Sequence, residues 1–179
     1  MTTYGEKNRE IAMRKLLSIF LLSFLAVSLS AQIIDETIPK FGEKLISMKK
    51  VSAKNDISGR GFDLLSLDEM RAFGYTADEI KRTIVGIGNH GIICKIETDR
   101  NSNVERVNVT AQYTDVRSMM NEYTKEGYTL DEEWSKGGNY MYRKVAGKYL
   151  YVVNLEFANS PSSCTATMIM QRIQPDYLK

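Results

Sequence analysis

Histidine, cysteine and tryptophan are scarce in this chain. Its 179 residues include one histidine, His90, and one tryptophan, Trp134. A single imidazole excludes the common zinc sites, which need two or more histidines or several cysteines from one subunit. We therefore expect no metal and no cofactor.

Only two cysteines are present, Cys94 and Cys164. An oxidising compartment would permit one disulfide between them. Because both lie in apolar runs typical of strands, two buried free thiols are the alternative. The residues alone leave both alternatives open.

Long hydrophobic runs are also missing, apart from one near the start. Arg14 and Lys15 precede an apolar block at residues 16–29, and the small residues Ser30 and Ala31 follow it. The block has 14 residues, whereas a helix that crosses a bilayer needs about 20. This pattern predicts a signal peptide over residues 1–31, cleaved after Ala31. We therefore expect an exported protein, periplasmic or secreted, with no stable membrane span after cleavage.

Two details refine the predicted signal peptide. Met13 opens an ordinary signal peptide by itself, so it is an alternative start of translation. No cysteine lies close to the cleavage point. This excludes the lipid-modified N-terminal cysteine of bacterial lipoproteins.

Neither sign of charge is in excess in the expected mature chain. Removing residues 1–31 takes away four basic and two acidic residues, which leaves 20 of each. Nucleic acids and anionic membranes both favour a clustered positive surface, and the composition offers no argument for one. We expect no nucleic-acid partner.

Helical signals dominate the first part of residues 32–179, which we interpret as a single domain. Apolar residues at steps of three and four predict a helix over residues 35–50. Capping boxes at Ser66 and Thr76 predict one helix that ends at Gly74 and another over residues 77–85. Between them, residues 51–61 are rich in serine, asparagine and glycine without periodicity, which predicts a flexible loop.

Strand signals dominate from residue 92 onward. Alternating patterns predict strands at residues 92–98, 107–113, 140–145, 149–157 and 165–171, with a short one at 128–133. Asp115 and Gly127 bound a further predicted helix. The sequence thus predicts an α+β fold in which N-terminal helices precede a mainly antiparallel sheet of five or six strands. One helix is inserted after the second strand, in a ββαβββ-like order.

Three motifs could carry chemistry, and each has a simpler explanation. Residues 86–91 match G-x-G-x-x-G but lack the strand before and the helix after that a dinucleotide site needs. Cys94 and His90 could form a nucleophile pair, yet the apolar neighbours of Cys94 favour an inert thiol. The acidic residues 131–133 point in different directions, which favours a solvated turn.

Aromatic side chains are concentrated in the second half of the chain. Trp134 lies beside a polar, glycine-containing turn, and Tyr140 and Tyr142 share one face of a predicted strand. Tyrosine and tryptophan are frequent in binding surfaces. We therefore name Trp134, Tyr140 and Tyr142 as candidate ligand-binding residues. The alternative for Trp134 is that it closes the core over the preceding helix.

Two functions are compatible with these patterns. The first is a non-catalytic binding or interaction domain whose ligand is a protein, a peptide or a glycan. The alternative is a small exported hydrolase whose carboxylates come together only in the folded chain. Two converging carboxylates in a concave pocket would favour the hydrolase, and an exposed aromatic face would favour binding.

Overall fold

The computed structural model describes residues 36–113, 115–137, 139–160 and 163–173. The predicted signal peptide and its cleavage site lie outside these residues. The helices of the described residues are α1 (Ile38–Ile46), α2 (Lys50–Gly59), α3 (Leu67–Ala72), α4 (Ala77–Arg82) and α5 (Val116–Lys125). The strands are β1 (Asp63–Leu64), β2 (Thr83–Ile87), β3 (Ile93–Thr98), β4 (Val104–Tyr113), β5 (Thr129–Lys136), β6 (Asn139–Ala146), β7 (Tyr149–Ser160) and β8 (Ser163–Ile173).

The predicted helix starts are present where side chains can cap them. Ser66 and Thr76 each form a complete capping box, with Glu69 and Glu79 respectively. Asp115 accepts a hydrogen bond from the backbone nitrogen of Ser118 at 2.7 Å and so caps α5. These side chains satisfy backbone donors that a helix start would leave free.

Helix α1 is capped from outside itself. Its own N-cap residue, Thr37, makes no capping bond with its side chain. Instead, Glu122 on α5 accepts a hydrogen bond from the backbone nitrogen of Ile38 at 2.6 Å. Glu126 accepts a second one from the Thr37 hydroxyl at 3.0 Å. The carboxylates of α5 therefore stabilise the N-terminus of α1 and fix the two helices against each other.

The prediction of a loop at residues 51–61 is wrong, because residues 50–59 form α2. Only Ala53 and Ile57 are buried on this helix, one turn apart. Two apolar anchors are too few for the periodicity to be visible in the sequence. Arg60 ends the segment and pairs with Asp56 and Glu36, each at 2.7 Å. Tertiary contacts therefore stabilise a helix that its composition disfavours.

All strands of the described residues belong to one open antiparallel sheet. Its order is β1-β2-β3-β4-β8-β7-β6-β5. Each half of the sheet is a meander of four strands, and the last strands of the two halves, β4 and β8, pair at the centre over eight register positions. Helix α5 connects the halves, running between β4 and β5. The α+β class and the antiparallel sheet are thus confirmed.

The predicted strand count was too low, because the sheet has eight strands and α5 follows the fourth of them. Residues 83–85 were assigned to a helix but open β2, where they pair with residues 95–97 of β3. Thr83, Ile84 and Val85 are all β-branched, which favours a strand over continuation of α4. Strand β1 has only two residues, too few to produce an alternating pattern.

The core lies between one face of the sheet and the helices α1, α2 and α5. Buried side chains alternate along the central strands, with Val107 and Val109 on β4, Met168 and Met170 on β8, and Val153 and Leu155 on β7. Phe41 and Leu45 from α1 and Met119 and Tyr123 from α5 belong to the same buried cluster. This face of the sheet is the helix-covered face, and the opposite one is called the open face below.

Gly42 allows α1 to approach the sheet closely. A Cβ atom there would lie 2.7 Å from the Cε of Met168 and 3.0 Å from that of Met170. We expect Gly42→Ala to lower the free energy of unfolding by about 1 kcal/mol, since overpacking outweighs the better helix propensity of alanine. Urea denaturation followed by circular dichroism measures it.

Gly59 provides the matched control for that change. It ends α2, and nothing lies within 4 Å of a Cβ built on it. Gly59→Ala should therefore leave stability unchanged or raise it by about 0.5 kcal/mol. If Gly42→Ala stabilised the protein as much as Gly59→Ala does, the proposed close packing of α1 would be contradicted.

Candidate functional site

The open face carries the other half of the alternating side chains of β3, β4, β8, β7 and β6. These side chains are half-buried or exposed, whereas their neighbours on the helix-covered face are buried. This difference indicates that, within the described residues, no helix covers the open face between β4 and β6. Its members on the four strands β4, β8, β7 and β6 include Arg106, Asn108, Thr110, Thr167, Ile169, Gln171, Val152, Asn154, Met141 and Arg143.

Polar contacts connect neighbouring strands across the open face. Glu97 pairs with Lys95 at 2.6 Å and with Arg106 at 3.3 Å. The amide oxygen of Gln171, in the orientation that satisfies both partners, accepts hydrogen bonds from the guanidinium of Arg106 at 2.7 and 2.9 Å. These contacts fix the position of the Arg106 guanidinium between Glu97 and Gln171. The open face is therefore an ordered polar surface.

Apolar members of the open face lie on β8, β7 and β6. Ile169 on β8, Asn154 on β7 and Met141 on β6 occupy one row of the register, and Val152 lies in the adjacent row. Arg143 on β6 lies beside Val152 of β7 in the register, and its guanidinium pairs with the Asp131 carboxylate of β5 at 2.9 Å. This end of the open face combines half-buried apolar side chains with one charged pair.

Trp134 lies at the rim of this end. The pairing of β5 with β6 shifts register between Asp131 and Lys136, so the intervening residues leave the ladder. The backbone nitrogen of Trp134 donates a hydrogen bond to the Asp131 carboxylate at 3.3 Å. The hydroxyl oxygen of Ser135 accepts one from the backbone nitrogen of Met141 on β6 at 3.0 Å. The Trp134 residue is 62% exposed. The bulge thus presents a large aromatic ring at the edge of the sheet.

The two tyrosines named with Trp134 occupy the helix-covered face. Tyr142 is 1% exposed, and its ring centroid lies 5.4 Å from that of Tyr123 on α5. Tyr140 is partly buried and packs against the core. Tyr142 is therefore a core residue, and we remove it from the candidate site. The sequence pattern placed both tyrosines on one face but could not show that this face is the one under the helices.

The exposure of Trp134 leads to a stability prediction. We expect Trp134→Ala to change the free energy of unfolding by less than about 1 kcal/mol, because an exposed side chain removes little buried area. Urea denaturation must be followed by circular dichroism, since this variant lacks the chain's single tryptophan. A loss of about 3–5 kcal/mol would instead identify a core residue and would contradict a binding role for Trp134.

Cys94 is a buried free thiol on β3. Burial raises the pKa of this thiol to about 12, which makes it unreactive at neutral pH. Cys94 pairs with Val109 of β4, whereas Cys164 pairs with Tyr113 of β4 from β8. The two cysteines are thus two strands and four register positions apart, beyond the reach of about 7 Å between Cα atoms that a disulfide spans.

Several carboxylates of the described residues are engaged in structural contacts. Burial raises the pKa of the Glu122 carboxyl, but this group caps α1 through Ile38. Asp131 pairs with Arg143, and Glu132 and Glu133 lie exposed on the edge strand. The described residues contain no group of three or more acidic, histidine or cysteine side chains that could hold a metal ion.

The glycine-rich motif at residues 86–91 connects two strands. Gly86 lies in β2, and Asn89–Gly91 form a single 3-10 turn before β3. A Cβ on Gly86 would lie 3.1 Å from that of Phe62, so this glycine serves packing. The motif does not precede an α-helix, and the side chain of His90 lies outside the described part of the chain.

Comparison with known proteins gave no relative. A scan against protein families, a search of curated proteins and a search of solved structures each returned no match. Among the described residues, no helix has the length and apolar character needed to cross a bilayer. The site is therefore interpreted from its geometry alone.

Proposed function

We propose that this chain is exported and acts as a non-catalytic binding domain whose open face holds a protein or peptide partner. The observation that supports this most is the open face itself, which from β4 to β6 is left without helix cover in the described residues while its opposite side is packed. Trp134 lies at the rim of the surface. The proposed site consists of Met141, Arg143, Val152, Asn154 and Ile169 together with Trp134.

The chemistry of this surface suits a polypeptide ligand. Protein interfaces are enriched in tryptophan, methionine and arginine, and their energy is concentrated in a few such residues. Met141, Arg143 and Trp134 lie on or beside β6 at one end of the open face. Asn154 adds an amide that can hydrogen-bond a backbone. An open sheet face of this kind offers a large contact area.

The hydrolase alternative receives less support. Its requirement is a pair of converging carboxylates with one raised pKa. The carboxyl with a raised pKa, Glu122, lies on α5 and is bonded to the backbone of α1. Its neighbour Glu126 pairs with Lys40 at 3.2 Å. Both groups thus stabilise the helix pair on the side of the sheet opposite the open face.

A peptide selection tests the proposal. The purified protein is immobilised and used to select binders from a phage-displayed peptide library, and the selected peptides are then measured against variants. We expect Trp134→Ala and Arg143→Ala each to weaken the selected peptides by about tenfold or more. Circular dichroism spectra of both variants should match that of the parent protein.

Phe73→Ala is the matched control for the aromatic deletion. Phe73 is a partly exposed aromatic residue at the end of α3, outside the proposed site. The Phe73→Ala variant should leave peptide affinity unchanged. Peptides that are insensitive to Trp134→Ala and Arg143→Ala, or a selection that yields no specific binder, would refute a binding role for the open face.

A further inference from the structure

Six basic residues lie on three segments that meet at one end of the molecule. They are drawn from the start of α2, the end of α4 and the turn between β3 and β4, and we call them the basic end: Lys49, Lys50, Lys54, Lys81, Arg82 and Arg100. The backbone of Lys50 donates to Ser102 at 2.8 Å, and its ammonium group donates to the backbone oxygen of Lys81. Lys49 also pairs with Asn103 through the backbone.

The basic end has few acidic partners among the described residues. Asp78 pairs with Lys81 at 3.3 Å, and the Asp99 carboxylate accepts hydrogen bonds from Asn101 and Asn103. Glu79 caps α4 at Thr76 and also attracts Arg82. Lys49, Lys54 and Arg100 take part in no ion pair that the described residues form. Positive charge therefore predominates at this end, although the expected mature chain is neutral overall.

The lysines are close enough to affect one another. Burial lowers the pKa of the Lys50 ammonium, and the charge of Lys54 lowers it further. The first turn of α2 contains no acidic residue that would offset them. An anionic surface approaching α2 would relieve this repulsion.

An apolar side chain projects from the same end. Val51 follows Lys50 on the first turn of α2 and is 70% exposed. Basic residues around an exposed apolar side chain are typical of segments that lie on a membrane surface, where the charges meet headgroups and the apolar group enters the interface. A soluble anion would make no use of Val51.

We propose that the basic end docks this protein on the surface of an anionic lipid bilayer. Lys49, Lys54 and Arg100 contact lipid phosphates, and Val51 lies against the acyl boundary. Each basic residue near an anionic membrane contributes about fivefold in affinity. The three residues that form no ion pair among the described residues together contribute about a hundredfold, which suffices for weak and reversible peripheral binding. The surface is separate from the open face, and its function does not depend on a peptide partner.

Vesicle co-sedimentation tests the proposal. The purified protein is mixed with vesicles of phosphatidylcholine alone or with about 30% phosphatidylglycerol. We expect binding only to the anionic vesicles, and weaker binding as ionic strength rises. The double variant Lys49→Gln, Lys54→Gln should lose about tenfold or more in vesicle affinity, and Val51→Ser should also weaken binding.

A matched pair of exposed lysines provides the control. Lys125 ends α5 and Lys136 ends β5, outside the three segments that form the basic end. The double variant Lys125→Gln, Lys136→Gln removes the same charge and should bind vesicles like the parent protein. The proposal is overturned if both double variants lose affinity equally, if neutral and anionic vesicles bind alike or not at all, or if a DNA duplex competes the protein off the vesicles.

Discussion

Phe41→Ala is expected to lower the free energy of unfolding by about 3–5 kcal/mol, the largest effect of a single substitution that we predict. Phe41 is 0% exposed between α1 and the sheet. Its ring stacks on Phe62 with centroids 6.1 Å apart, and the Arg60 guanidinium lies 5.0 Å from its centroid on the ring face. The substitution would leave a cavity and also remove the surface on which Arg60 rests.

Urea denaturation followed by circular dichroism measures this effect, with Phe73→Ala as the control. Phe73 is partly exposed, so its removal should cost less than about 1 kcal/mol. A loss at Phe41 of similar size would mean that α1 does not pack on the sheet as described.

Leu155→Ala should cost about 2–4 kcal/mol. Leu155 is 1% exposed on β7, where it lies between Met168 of β8 and Tyr140 of β6 in the register. Its row crosses the middle of the sheet beneath the helices, so the neighbouring strands cannot collapse into the cavity. Val153, two residues before Leu155 on the same face, is also buried. Val153→Ala should therefore also lower the free energy of unfolding.

Thermal and urea unfolding of Leu155→Ala measure the loss in free energy of unfolding. Leu67→Ala is the control, because it makes the same leucine-to-alanine change at an exposed position. Leu67 is exposed on α3, and its substitution should change stability by less than about 0.5 kcal/mol. Equal results for the two variants would place β7 at an exposed edge instead of in the interior.

Local signals in the sequence predicted those elements that local interactions determine. The capping residues Ser66, Thr76 and Asp115 located three helix starts. The alternating runs located six of the eight strands. Strand β2 was misread because its five residues directly follow a capped helix. Its pairing with β3 is decided by contacts across the sheet, which local periodicity does not report.

The candidate site was harder to predict than the fold. Alternation showed that Tyr140 and Tyr142 share a face, but helix placement decided that this face is buried. Trp134 is exposed, so the alternative that it closes the core is wrong, while its binding role stays a prediction. Asn154 had a visible signal, because it lies between Val153 and Leu155, whereas Val152 and Ile169 lie in uninterrupted apolar runs. The basic end had none, because its three segments are distant in sequence.

The pairing of β4 with β8 has a consequence for synthesis. These partners are about 50 to 65 residues apart along the chain, and β8 is the last strand of the described residues. Until β8 emerges, the first meander ends in a ten-residue strand that presents unpaired backbone groups beside Val107 and Val109. Such an edge recruits foreign strands. Partly synthesised chains, or chains truncated before β8, should therefore aggregate, and pairing with β8 protects the edge of β4.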